Sequence, residues 1–555
     1  MAGRAPALAA VLLSGVAAAG PPVPPVHEGR PAETRLAGEI SLGALLDGRL
    51  DVLRDDFRLF GADDERFPLP AVRAHYASDG EVVVPLERLP IPAAGGYDLL
   101  LLPGRSWHDR AAGTDRALLP FALLEKNANC LHYGTLWFDY DASGARGPGR
   151  YRIASDTCQY LKFDASGRHR VSFDFRDSPQ AGEALADYSA ERAARLPRRP
   201  IAALADEYPG ADAAAFGDPD EVDPRHMTAY GFLIDGVHYA GGCATRAGPY
   251  PACAELPLPS YSLAKSLVAG LALMRAEALY PGSRRRPVSE LVPACASEDG
   301  WDRITLEDLL DMATGRYDST GYETDEDALL ASPFFLAADH ATKLRFACER
   351  WPRREPAGER WVYHTTDSYI LGTALTALVR EQAGAGADFF ETLVVEPIFA
   401  PLGLGPLSRF TRRTQDAVRQ PFTGWGLVLT ADDLARLAQF LGPRNARLGD
   451  ASPLDAGMLD AALRRDGGAA LPTGVPGLSY DNGFWAYDVG PHLGCLEALP
   501  VPLMSGFGGI ILTLFPNGSS YYYVSDGGTH RWLAAARAAH AIRPMCAGAP
   551  TGESQ

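Results

Sequence analysis

The sequence predicts an α/β (α+β) chain: an antiparallel sheet flanked by helices with a helical subdomain, preceded by a β-rich accessory domain. Three observations carry this. Between residues 33 and 178, short runs rich in β-branched and aromatic residues, GYDLLLLPG, YGTLWFDYD, RYRIASDTCQYLKFD and HRVSFDF, alternate with turn residues and read as strands. From 226 to 545, strand-like runs stand at both ends with helical sequence between, which implies one sheet built from the two ends of the region. The chain has 555 residues, of which 46% are apolar and 22% charged, enough for several cores.

The first twenty residues, MAGRAPALAAVLLSGVAAAG, combine one positive charge, a short apolar stretch and small residues. That is the layout of a cleavable export signal (1–20), so a periplasmic or secreted location is expected, with no transmembrane segment after cleavage. Export agrees with eight cysteines and no C-x-x-C pair: Cys130, Cys158, Cys243, Cys253, Cys295, Cys348, Cys495 and Cys546. We expect disulfides. Eight cysteines allow 105 connectivities, and pairing of sequence neighbours, 130 with 158 and 243 with 253, closes the short loops. Residues 179–225 turn to Ala, Asp, Pro and Arg and read as a linker with one helix. A net charge of −17 without a basic patch counts against nucleic acid as a partner.

In the second region TAYGFLIDGVHYAGG reads as a hairpin turning at Asp235-Gly236. The run SLAKSLVAGLALMRAEAL has helical length and ends before Pro281-Gly282. Thr305 to Gly315 reads as a helix with a glycine C-cap, and Gly424 to Phe440 as a turn and an amphipathic helix capped by Thr430. YDNGFWAYDVG, GGIILTLFP and SSYYYVSDGG supply strands, and HRWLAAARAAHAI the last helix.

The chemistry begins from a peculiarity of composition. Of 52 basic residues only Lys126, Lys162, Lys265 and Lys343 are lysine. Arginine stays protonated, whereas a desolvated lysine can take a proton from a neighbouring hydroxyl. Lys265 follows Ser262 by three residues, on one helix face, in apolar sequence that argues for burial. The plainer alternative makes Ser262 only an N-cap. No G-x-S-x-G, no H-E-x-x-H and no zinc-spaced histidines occur, so neither a metal nor an organic cofactor is expected.

Downstream, Ser262-x-x-Lys265, ITLEDLLDMATG, Tyr363 in ERWVYHTTDSYILGTAL, GWGLVLTADDLARLAQF and GFGGIILTLFP follow one another in an order that resembles the serine β-lactamase and penicillin-binding-protein superfamily. The resemblance covers roughly residues 226 to 545 and is nearest to the class C branch. Tyr363-x-Thr365-x-Asp367 ahead of Leu371-Gly372 is most similar to its 6-aminohexanoate-dimer hydrolases. The resemblance implies a β-lactamase/transpeptidase-like fold and hydrolysis of esters or amides in small molecules or peptides through an acyl-serine. Ser262 would be the nucleophile, Lys265 its activator, and Tyr363 the base and later acid, its pKa lowered by the lysine. The oxyanion would meet the Ser262 N–H and a backbone N–H of the strand at Ser505-Gly506, with Met504 at its edge.

Two departures narrow the expectation. The family's Tyr-x-Asn reads Tyr363-His364-Thr365, so Thr365 takes the place of the amide, and His364 is a further candidate. The usual cation on the last strand is missing from Leu503-Met504-Ser505-Gly506, which counts against β-lactamase and carboxypeptidase activity. Tyr480-Asp481-Asn482 is a rival Tyr-x-Asn, and a non-catalytic binding protein that has kept the fold is the rival function.

Overall fold

A computed structural model of the chain describes residues 22–26, 30–45, 51–58, 72–93, 96–176, 178–296 and 300–547. The expected export signal lies outside them.

The N-terminal strands close on themselves. Thr114–Glu125 pairs with Gly104–Asp109, and the ladder continues through Val82–Pro85, Val72–Ser78, Gly38–Leu45, Phe163–Asp174, Gly149–Ala154 and Leu131–Asp141. Leu131–Asp141 pairs in turn with Thr114–Glu125, giving an antiparallel barrel. Side chains fill it in a small-against-large manner. A Cβ at Gly134 would stand 2.1 Å from the Phe121 ring, and one at Gly167 would stand 2.3 Å from the Tyr151 hydroxyl.

The unbroken run Leu99-Leu100-Leu101-Leu102 is explained by burial on both faces of a strand. Leu99 and Leu101 point into the barrel, while Leu100 and Leu102 join Leu124, Leu131 and Tyr133 in the core shared with the second domain.

The second domain is built on a nine-stranded sheet. Its order is Arg198–Pro200, Val237–Gly242, Met227–Ile234, Ser520–Ser525, Ile510–Leu514, Pro500–Gly506, Phe484–Asp488, Leu478–Asp481 and Leu471–Pro472. The two ends of the region thus do meet in one sheet, with Met227–Ile234 beside Ser520–Ser525. The expected hairpin forms at Asp235-Gly236, both in left-handed backbone. Alternation decides which face each side chain serves. Tyr522 and Val524 pack on the helical subdomain, Tyr521 and Tyr523 on the layer containing the Leu533–Ile542 helix.

The stretch expected to be a linker is more ordered than its composition suggests. It holds the Ala181–Ala194 helix and an edge strand, Arg198–Pro200, that runs parallel to Val237–Gly242. Leu204, Phe216 and Val222 bury themselves against Phe232. Widely spaced apolar residues among Ala, Asp and Pro hid this, and the sheet begins before residue 226. The Thr305–Gly315 helix is also shorter than expected. Thr305 caps it with Asp308 in a capping box, but it ends at Leu310 and Met312 turns left-handed.

All eight cysteines are paired: Cys130–Cys158, Cys243–Cys253, Cys295–Cys348 and Cys495–Cys546. Each pairing joins sequence neighbours, as expected. Among the described residues no helix is long and apolar enough to cross a membrane.

Candidate active site

The short strand Leu258–Pro259 ends at the proline, and the chain turns through Ser260, Tyr261 and Ser262 into a buried helix. Tyr261 makes that turn with φ +42°, a left-handed conformation that costs a bulky residue about 1–3 kcal/mol. The first full turn, Lys265–Gly270, is π-helical and wholly buried.

Lys265 Nζ donates to Ser262 Oγ at 3.1 Å and to Thr365 Oγ1 at 2.9 Å. The Tyr363 hydroxyl donates to Ser262 Oγ at 2.8 Å, and Lys265 Nζ lies 4.6 Å from the centre of the Tyr363 ring. Three residues separated by up to 101 positions therefore meet at one oxygen. Gly424 leaves room for Thr365 beside the amine, since a Cβ there would press on Thr365 Cγ2 at 2.6 Å.

Burial lowers the Lys265 ammonium from its ordinary value to about 8, against the pull of Glu326, Glu323 and Asp367. Tyr363 goes the other way from the expectation. Burial raises its phenol well above the ordinary value, and Glu323 and Glu326 add to the rise. The resting phenol is therefore protonated, and the amine is the group that titrates nearest neutrality.

Thr365 begins the helix Thr365–Ala383 and contacts the amine itself. Its N–H and hydroxyl both donate to Glu326, at 2.6 and 2.7 Å. Glu326 was not anticipated, because its acidic neighbourhood, Glu323 to Asp327, reads as an ordinary solvated charge run. Folded, it sits at a helix N-terminus, where a carboxylate is favoured.

His364 does not face the nucleophile. It is fully buried, stacks on Trp351 at 4.6 Å, and its Nε2 lies 3.0 Å from Asp325. Burial lowers its pKa, but Asp325 and Asp367 outweigh that and hold it at about 9. It is a structural imidazolium behind the site. The rival Tyr480 packs between Trp361 and Trp485 in the strand Leu478–Asp481, and the neighbouring Asn482 N–H donates to Asp311.

The strand Pro500–Gly506 runs past its neighbour Phe484–Asp488, whose pairing stops at Leu503. Its free end reaches the turn that carries Ser262, where a Cβ on Gly506 would meet Ser260 O at 2.8 Å. Met504 turns into the core and is completely buried, so only its backbone is at the strand edge; Ser505 is half-buried. Two aromatic groups border the site: Trp485 lies against Tyr363 with Trp361 and Tyr322 behind it, and the half-exposed Phe507 lies against Tyr261 and Tyr160.

A hydroxyl held between a buried amine and a phenol has a proton acceptor and a proton donor within reach. The chain belongs to the β-lactamase family, whose model matches residues 201–524. No curated protein matches it. Among solved structures it is similar to a Bacillus anthracis protein assigned as a 6-aminohexanoate-dimer hydrolase, with 19% identity, 59% of this chain and 79% of that one covered, and a TM-score of 0.42. It is also similar to a penicillin-binding-protein homolog from Caulobacter crescentus, at 20% identity, 62% and 97% coverage and a TM-score of 0.43. A third is EstCE1, a hydrolase with promiscuous acyltransferase activity, at 17% identity, 61% and 99% coverage and a TM-score of 0.44.

Proposed function

We propose that the protein is an exported serine hydrolase that cleaves an ester or amide through an acyl intermediate on Ser262. The observation that carries this is the convergence of Lys265 Nζ and the Tyr363 hydroxyl on Ser262 Oγ. Free Lys265 amine takes the Ser262 proton as Oγ attacks the carbonyl carbon. Collapse of the tetrahedral adduct breaks the bond to the leaving group, which takes the Tyr363 proton. The resulting phenolate recovers a proton from the Lys265 ammonium, and the pair returns to neutral. Water then repeats the sequence on the acyl-serine. The Ser262 N–H and a backbone N–H at the Ser505–Gly506 strand end receive the oxyanion.

The charges around the site narrow the substrate. The Glu326 carboxylate stands against Thr365, the amine's second partner, and it and Glu323 act electrostatically on Lys265 and Tyr363. An anionic β-lactam is disfavoured there, and a neutral or cationic ester or amide fits. Four disulfides support export. The test is labelling by a fluorophosphonate probe and turnover of p-nitrophenyl esters, beside Ser262→Ala. We expect both activities in the unmutated protein only, with nitrocefin hydrolysed slowly or not at all. A protein that neither labels nor turns over is a binding protein on this fold, and rapid nitrocefin turnover overturns the substrate reading.

A further inference from the structure

A buried amide of the barrel reaches the turn that carries Ser262. Asn129 lies in the loop between the strands Thr114–Glu125 and Leu131–Asp141 and is buried, and the hydrogen bonds of its side chain all go to the second domain. Its Oδ1 accepts from the Tyr261 N–H at 2.7 Å, the Gly426 N–H at 2.9 Å and the Ser260 hydroxyl at 3.2 Å. Its Nδ2 donates to Leu427 O at 3.1 Å. These partners come from two segments that enclose the reacting groups. Ser260 and Tyr261 precede the nucleophile, and Gly426 and Leu427 follow the glycine packed against Lys265.

Of these partners Tyr261 is the strained one. A tyrosine with φ +42° keeps that conformation only where its surroundings impose it. Here the barrel holds it at both ends: Asn129 takes the backbone N–H, and Thr157 O accepts from the phenol at 3.3 Å. Asn129 and Thr157 each adjoin one cysteine of the Cys130–Cys158 disulfide, so the two anchors belong to one cross-linked unit.

We propose that Asn129 is a positioning residue for the hydrolase: by fixing Tyr261 in its left-handed turn it sets Ser262 Oγ within reach of Lys265 and Tyr363, which makes the barrel a working part of the active site. This rests on Ser262 as the nucleophile. An amide that only seals the domain interface would contribute to stability and leave the chemistry alone, so the test separates the two.

Full-length Asn129→Ala, Asn129→Asp and Asn127→Ala are compared with the unmutated protein. Asn127 also crosses the interface, to Leu336 O and Gln415, but away from the catalytic turn. We expect Asn129→Ala to lower kcat and the fluorophosphonate labelling rate by roughly ten- to a hundredfold with KM little changed, as small displacements of a reacting group do. Asn129→Asp keeps the triple acceptor and should recover much of that loss. Asn127→Ala should lower Tm and leave kcat within about twofold. Normal labelling of Asn129→Ala, or losses that track Tm alike in all three variants, overturns the proposal while Ser262 remains the nucleophile. Should Asn129→Ala not fold, Asn129→Ser, too short to bridge both segments, takes its place, and a kcat deficit that Asn127→Ala shares overturns the positioning role. If the unmutated protein never labels, the functional reading fails first. The crystal structure of Asn129→Ala then decides, because a Tyr261 still left-handed there overturns the positioning role independently of activity.

Discussion

Lys265 and Lys343 are both buried, at 3% and 0% exposed, and burial lowers both ammonium groups, to about 8 and about 7. Their partners differ. Lys343 Nζ donates to the carbonyls of Phe334 and Phe335 at 2.7 and 3.2 Å and lies over the rings of Phe334, Phe422 and Trp425. Carbonyls and π faces hold a cation but have no proton to give. Lys265 faces the hydroxyls of Ser262 and Thr365, with a phenol sharing the first. A lowered pKa therefore marks burial, and only the chemistry of the partner separates a reacting amine from a structural tie.

The largest effect that can break this comparison is on turnover. Lys265→Met, like Ser262→Ala, should cut kcat/KM for a p-nitrophenyl ester by roughly 10³-fold or more, while Lys343→Met stays within about threefold of the unmutated protein below its unfolding temperature. Equal losses in the two lysine variants would show that burial alone had been mistaken for function. Tyr363→Phe comes next, at about 10²- to 10³-fold, in the range of a lost proton donor. A loss confined to KM would remove the phenol from the proton path.

The contrast between these lysines was half legible in the sequence. Lys265 stood out because Ser262 precedes it by one helical turn and Tyr363 follows in the family's order, so three side chains that the fold brings together were singled out without coordinates. What the sequence hid is what only tertiary contact creates. Glu326 comes to Thr365 from 39 positions away, and Asn129 to Tyr261 from 132. His364 was a further site candidate by its position beside Tyr363 until the fold buried it against Asp325. The strands of the first domain were visible as runs, but closure into a barrel was not, because pairing partners lie as far apart as Ile40 and Phe173 and because Leu99 to Leu102 alternate between two cores. The two directions of titration, amine down and phenol up, likewise depend on burial that no local pattern records.

A smaller effect sharpens the assignment of the amine. If the free Lys265 amine starts the reaction, kcat/KM should rise with pH through an acid limb near pH 8, because the ammonium present below that value cannot accept the serine proton. Glu326 favours the ammonium, so Glu326→Gln should move the limb to lower pH. A limb that stays in place, or moves up, would mean that the limb reports a group other than Lys265.

The smallest effect concerns stability, and in it the two lysines should look alike. Between about pH 7 and 10.5 the unfolded chain keeps a proton on Lys343 that the native state has released, so stability from this group rises with pH across that window. Lys343→Met abolishes that gain and leaves two buried carbonyls without a donor, at about 1–3 kcal/mol each. Its Tm, measured by calorimetry, should therefore fall further behind the unmutated protein at pH 10 than at pH 7. Lys265→Met should show the same sign over the narrower window from about 8 to 10.5. A deficit that shrinks with rising pH would reverse the sign and place a charged, well-solvated ammonium at that site. The pH dependence of stability thus reports burial for both lysines, whereas turnover tests the one whose partners are hydroxyls.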